Sequence, residues 1–232
     1  MSDSNILTVD IVSDVICPWC FVGKRRLERA IKALPGGKTV QVRWLPFQLN
    51  PQMPPGGMNR REYRSAKFGS WQKSQELDAQ VAKVGATEGI TFAHDLMERT
   101  PNTFDAHRLI ALAAKEGIQD AVVEALFKGY FSEGQDISNR AILLDIVAKA
   151  GLDRIRAESL LNSKGDIHEE ELDARRLGVS GVPFFVINGK VAMSGARNVT
   201  DFLAAFEQAS EPLDTAEGGT CRLDPAGGKP TC

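Results

Sequence analysis

Apolar and polar positions alternate in three different rhythms along the chain. Ile6-Leu7-Thr8-Val9-Asp10-Ile11-Val12 is apolar and rich in β-branched residues, which predicts a buried strand. From Phe21 to Ile31 the spacing becomes helical, and Pro35-Gly36-Gly37 stops it. Val40 to Phe47 alternates again and predicts a second strand. Strand, helix and strand in this order make a βαβ unit, which crosses over right-handed. A proline- and glycine-rich loop from Pro51 to Gly57 closes the section.

From about Asn59 to Leu177 the pattern is helical throughout. Tyr63 to Val84 is interrupted near Gly69, and Gly89 to Pro101 is irregular. Thr103 to Glu116 is rich in small residues and ends at Gly117. Val122, Leu126 and Tyr130 form one apolar stripe, and Val123, Phe127 and Phe131 form another. Ile142, Leu143, Ile146 and Val147 mark a further helix, with Ser138 as its expected N-cap and Gly151 after its end. Ile155 to Leu161 and Ile167 to Leu177 read as short helices. Glu169-Glu170-Glu171 reads as a solvated helix face. No segment repeats.

Strands return between Val179 and Met193, where Asn188-Gly189 separates two apolar runs, a strong hairpin signal. Asn198, with Asp201 three residues on, caps a last helix whose stripe is Val199, Phe202, Leu203 and Phe206. Beyond Ser210 little remains to bury. Neither outer part can close a core alone, because each has unpaired strand edges. The expected organisation is therefore an α/β domain of two pieces, residues 1–58 and 178–210, joined into one sheet. An all-helical subdomain, 59–177, is inserted between them, and 211–232 is a tail.

Composition narrows the function. The 232 residues carry 28 basic and 30 acidic side chains, a net charge of −2. That balance does not call for nucleic acid or an anionic membrane as partner. No apolar stretch approaches the ~20 residues that span a bilayer. Met1 to Asn5 is polar and acidic, without a basic start or an apolar run, so a cytoplasmic location is expected.

The chemistry concentrates in Cys17-Pro18-Trp19-Cys20, where the first strand gives way to the first helix. The first amides of a helix lack internal partners and the dipole is positive there, so a thiolate on Cys17 would be stabilised. A Cys-X-X-Cys pair at a helix start can have a thiol pKa lowered to ~3.5–7.5. Pro18 suits a first turn that has no use for its N–H. Cys20, one turn on, is close enough to attack a disulfide formed on Cys17. A pair of structural cysteines and half of a zinc site are the plainer readings, but zinc needs two more ligands at close spacing. Cys221 and Cys232 lie at the far end, bracketing a glycine-rich stretch over which a disulfide closes easily. They are either an auxiliary redox pair or two exposed thiols. His94, His107 and His168 are scattered without metal-ligand spacing. His107, in Asp105-Ala106-His107-Arg108, is the candidate for a further role. No metal is expected, and no tightly bound cofactor.

Two separated motifs, Cys17-Pro18-Trp19-Cys20 and Gly181-Val182-Pro183 before the hairpin, resemble the DsbA family, a thioredoxin-like fold with an inserted helical subdomain. Ser13-Asp14, Pro101-Asn102-Thr103 and Ser194-Gly195-Ala196-Arg197 resemble its FrnE-like branch. That branch is similar to 2-hydroxychromene-2-carboxylate isomerases and kappa-class glutathione transferases. The resemblance implies a cis Pro183 beside the cysteines, with the Val182 backbone open to an extended substrate. It implies thiol-disulfide exchange with protein or small-molecule thiols and disulfides. Cys17 is then the nucleophile and Cys20 the resolver, while Pro18 and Trp19 face the substrate. The alternatives are a glutathione-dependent isomerase or transferase, and a chaperone-like or metal-binding protein without turnover. Those transferases and isomerases typically carry serine at the position of Cys17. Glutathione is the expected co-substrate if any is used, with Asn50 and Arg197 as candidates to hold it.

Overall fold

Residues 6–35, 38–164 and 178–211 are described by a computed structural model. Its central strand is β1, Ile6–Ser13. Leu7, Val9 and Ile11 point to one side and are buried there, as strand alternation requires. On the parallel neighbour β2, Thr39–Pro46, Arg43 stands opposite Asp10 and forks its carboxylate at 2.8 and 2.9 Å. On its other side β1 pairs antiparallel with β5, Phe184–Ile187, which pairs in turn with β6, Val191–Ser194. The sheet order is β2-β1-β5-β6, so strands from both ends of the chain share one sheet. The β5–β6 turn is the expected Asn188-Gly189, both with positive φ (50° and 65°). Asn188 also ties the turn down: its Oδ1 accepts from Thr8 N at 2.8 Å, and its Nδ2 donates to Ala209 O at 3.1 Å.

The first helix, α1, spans Pro18–Lys32 and begins at the cysteine motif itself. After β2 comes a two-residue strand β3, Met58–Asn59, which pairs with β4, Arg99–Thr100. This ribbon lies at the end of a stretch that reads as irregular in the sequence, because two residues are too few to alternate. Between them run α2, Arg60–Phe68, and α3, Trp71–Thr87. The break expected near Gly69 is there, at φ 90°, a conformation that costs glycine little.

Next come α4, Phe104–Lys115, α5, Gln119–Phe131, α6, Arg140–Lys149, and α7, Arg154–Asn162. Asn139, not Ser138, caps α6. Its Oδ1 accepts from Ala141 N and Ile142 N, while the Ser138 hydroxyl turns back to Asp136. The amide simply reaches one residue further along the chain than the hydroxyl reading allowed. The helix expected over Ile167–Leu177 lies outside the described residues, as do Glu169 to Glu171, His168, and the tail with Cys221 and Cys232. The last described helix, α8, Val199–Ser210, starts with the Asn198–Asp201 capping box. Among the described residues no helix is long and apolar enough to cross a membrane.

One apolar core joins the sheet to the helices inserted between β2 and β5. Leu7, Val9, Ile11, Phe185 and Ile187 from the sheet meet Phe21, Phe127 and Phe202 from α1, α5 and α8. Both predicted stripes of α5 are buried, which is why its residues 122–131 are apolar on two sides. Gln119 at the start of α5 also blunts the outer edge of β2. Its amide accepts from Trp44 N at 3.0 Å and donates to Trp44 O at 2.9 Å, as a neighbouring strand would.

Candidate active site

Three backbone segments meet around the two cysteines. β1 ends at Ser13, and the chain turns through Asp14, whose carbonyl accepts from Cys17 N at 3.0 Å. Cys17 is then the N-cap of α1 and Pro18 its first residue, so the sulfur stands at the positive end of the helix. Val182 and Pro183 come in from the far end of the chain, joined by a cis peptide bond. The Cys17 thiol donates to the Val182 carbonyl at 3.4 Å. The Pro183 carbonyl accepts from Gly195 N at 2.8 Å, which anchors this loop to the segment after β6.

The two sulfurs differ in setting. Both are free thiols in this structure. Cys17 keeps 5% of its surface exposed and Cys20 only 1%. Burial pushes the Cys20 thiol well above the ordinary range, and the adjacent Cys17 adds to the effect. Hydrogen bonds from the Ser13 hydroxyl and the Asp14 backbone act in the opposite direction. Trp19 projects between them toward solvent, 41% exposed, and Phe184 is half-buried after Pro183.

Asp14 is the polar centre beneath the motif, and it is completely buried. Its Oδ2 accepts from Leu49 N at 2.8 Å, and its Oδ1 from Ile16 N at 3.4 Å. Phe47 N donates to Ser13 O at 3.1 Å, so the loop after β2 is held at two points beside the cysteine turn. His107, from the first turn of α4, brings Nε2 to 3.4 Å from Asp14 Oδ1. Sequence reading singled out Ser13-Asp14 and His107 separately. Nothing in the sequence says that they meet.

Asn50, next to Leu49, accepts from the Tyr63 hydroxyl and from Lys67 Nζ at 3.2 Å, while Lys67 also donates to the Tyr63 oxygen at 2.9 Å. Tyr63 and Lys67 were not among the sequence candidates, although their i, i+4 spacing on α2 places them on one face. Arg197 turns its Nε to Ser194 O at 2.9 Å and is exposed. His94 stacks on Phe92, and burial lowers its pKa against the opposing pull of Asp78. No three His, Cys, Asp or Glu side chains among the described residues cluster as a metal site. A cavity of about 410 Å³ beside α4, walled by Phe104, Asp105, Arg108 and Arg140, includes none of the residues around the cysteines.

Comparison with known proteins agrees with this geometry. The model of the DSBA-like thioredoxin domain matches residues 8–207. The protein YwbO of Bacillus subtilis (strain 168) is 29% identical over 196 residues, covering 81% of this chain and 90% of YwbO. A probable DsbA oxidoreductase from Streptomyces coelicolor is 30% identical with a TM-score of 0.82, over 94% of this chain and 97% of that one. A 2-hydroxychromene-2-carboxylate isomerase, 18% identical, shares the fold at a TM-score of 0.67, over 87% of this chain and 95% of its own. With the cysteine pair at a helix start, the cis proline facing it and a match running through both outer parts and the inserted helices, this chain belongs to the DSBA-like thioredoxin-domain family.

Proposed function

We propose that the protein is a thiol-disulfide oxidoreductase working through Cys17 and Cys20, on protein or small-molecule thiols and disulfides. The observation that supports this most is the position of the Cys17 sulfur. It lies at the start of α1 and 3.4 Å from the Val182 carbonyl, beside the cis Pro183. A substrate disulfide approaching over Trp19, Pro18 and Pro183 meets that sulfur first. The Cys17 thiolate attacks one substrate sulfur and displaces the other as a thiolate, leaving a mixed disulfide. An extended substrate segment would lie against the Val182 backbone. Cys20 then loses its proton and attacks the Cys17 sulfur, so the protein disulfide forms and the second substrate thiolate leaves. Run backwards, the same steps oxidise a dithiol. The deep burial of Cys20 fits the resolving role, because a thiol held protonated does not compete for substrate. A reducing compartment such as the cytoplasm suits a reactive rather than a structural pair.

Cys17→Ser should abolish exchange in an insulin-reduction or scrambled-ribonuclease assay. Cys20→Ser should instead accumulate a mixed disulfide on Cys17, visible by non-reducing mass spectrometry. Activity that persists in the Cys17 variant would remove the assignment.

Glutathione as co-substrate is a second reading, favoured by the Lys67–Tyr63–Asn50 group. It places an ammonium and a phenol beside the loop that Asp14 holds. The structure of the Pseudomonas aeruginosa cytosolic disulfide reductase DsbM, alike in fold, was solved with GSH. Calorimetric titration with glutathione, on the disulfide and on the dithiol forms, tests it. Absence of heat with both forms would exclude it.

A further inference from the structure

Thiol-disulfide exchange as described above makes no use of the buried pair formed by Asp14 and His107. Asp14 is 0% exposed and His107 3%. A carboxylate removed from water needs donors, or it destabilises the fold. Oδ2 has a good one in Leu49 N, but Oδ1 has only Ile16 N, at a long 3.4 Å. His107 Nε2 faces that same oxygen at 3.4 Å and makes no hydrogen bond in this structure. Two polar groups, each short of a partner, thus face each other from opposite parts of the chain. A buried polar nitrogen left in this state is rare enough to call for a reason.

The reason lies in what else Asp14 holds. Its carbonyl accepts from Cys17 N at 3.0 Å, in the turn that leads into the cysteine pair. One residue therefore anchors the cysteine turn through its main chain and carries a fully buried carboxyl group on its side chain. In a low-dielectric interior an ionised carboxylate at this position would oppose a thiolate on the cysteine pair.

We propose that His107 is a positioning residue for the cysteine pair. By offering its Nε2–H to Asp14 it steadies the Ser13–Cys17 turn and offsets the carboxylate charge, and so sets the redox equilibrium of Cys17 and Cys20. This rests on the exchange reading above. The reaction that reports it is the reduction of the protein disulfide by two glutathione thiols. Two electrons and two protons leave the glutathione thiols as the S–S bond of oxidised glutathione forms. The electrons break the Cys17–Cys20 bond. One proton goes to Cys20, and the other goes to solvent for that share of Cys17 left as the thiolate on which the Asp14 charge acts.

The test is the equilibrium constant of that reaction for the wild type, His107→Leu, His107→Gln and Asp14→Asn, with folding of each checked by thermal melting. His107→Leu removes the donor and leaves the charge, so the equilibrium should move about tenfold toward the protein disulfide, about 30 mV for a two-electron couple. His107→Gln keeps an amide donor at a similar reach and should stay within about twofold of the wild type. Asp14→Asn removes the charge and should move the equilibrium the other way, toward the dithiol. A purely structural role would shift His107→Leu and Asp14→Asn in the same direction. That result, or no shift in either, or His107→Gln behaving like His107→Leu, overturns the proposal while leaving the exchange reading intact. A wild-type chain that never equilibrates with glutathione overturns the exchange reading itself.

Discussion

At Gly23 the helix that carries the cysteines presses against β5 and the cis proline just before it. A Cβ there would stand 3.0 Å from the Phe185 ring and 3.3 Å from Pro183 Cγ. Phe185 is fully buried and meets Phe202 edge-on, so it has little room to give. Alanine would improve helix propensity by ~1 kcal/mol, yet overpacking costs ~1–3 kcal/mol. Gly23→Ala should therefore lose roughly 1 kcal/mol of stability in urea titration and slow exchange, because the Val182–Pro183 loop is displaced from Cys17. A variant more stable than the wild type with an unchanged rate would contradict this. The same residue scale separates what could be read along the chain from what could not. Cys17, Pro18 and Cys20 were legible because a helix start needs only its own neighbours. The closeness of Gly23 to Pro183 was not, because the two are brought together by the sheet.

Between elements, α1 and α5 are joined by charge as well as by packing. Lys24 is buried on α1 and meets Glu28 of its own helix and, from α5, Asp120 at 3.0 Å and Glu124 at 3.2 Å. Arg25 also grips Glu124, at 2.9 Å from Nη1. Burial alone would lower the Lys24 pKa, but the three carboxylates outweigh it and raise it. Burial would likewise raise Glu124, but the Arg25 hydrogen bond and the Lys24 charge bring it down to about 2 from 4.5. A carboxylate whose folded pKa lies below its unfolded value adds stability above the unfolded pKa and loses it as pH falls toward the folded one. Stability from this network should thus fade between pH 4.5 and about 2. Glu124→Gln should be less stable at pH 7 by on the order of 2 kcal/mol, with the difference closing as pH approaches 2 in thermal melts. A deficit that stays constant with pH would show that the charge of Glu124 is not responsible.

Across the whole molecule the inserted helices and the sheet share one core, so they are expected to unfold together. Phe127 of α5 stacks on Phe21 of α1, with ring centroids 5.1 Å apart, and meets Trp44 of β2 edge-on at 6.1 Å. Phe127→Ala should cost ~3–5 kcal/mol, since a fully buried ring leaves a cavity that close packing cannot refill. In urea, loss of helix signal and alkylation of the buried Cys20 should occur in one transition, for variant and wild type alike. Helices that melt before Cys20 becomes reactive would show that the insertion is a separate unit.

The sequence by itself determined the four strands of the main sheet and the described helices around them, the hairpin at Asn188-Gly189, both stripes of α5, and the placing of Cys17 and Cys20 at a helix start. Each of these is set by neighbours a few residues apart, through alternation, capping and turn chemistry. It left the cap of α6 one residue out, and it missed the Met58–Thr100 ribbon, which is too short to leave a pattern. That Val182 and Pro183 lie beside Cys17 followed from the family resemblance and not from local pattern, and only the tertiary structure decided that Tyr63 and Lys67 converge on Asn50 and that His107 meets Asp14. Those contacts join segments far apart in the chain, and they exist because one sheet and one apolar core bring both ends of the chain and the helices between them together.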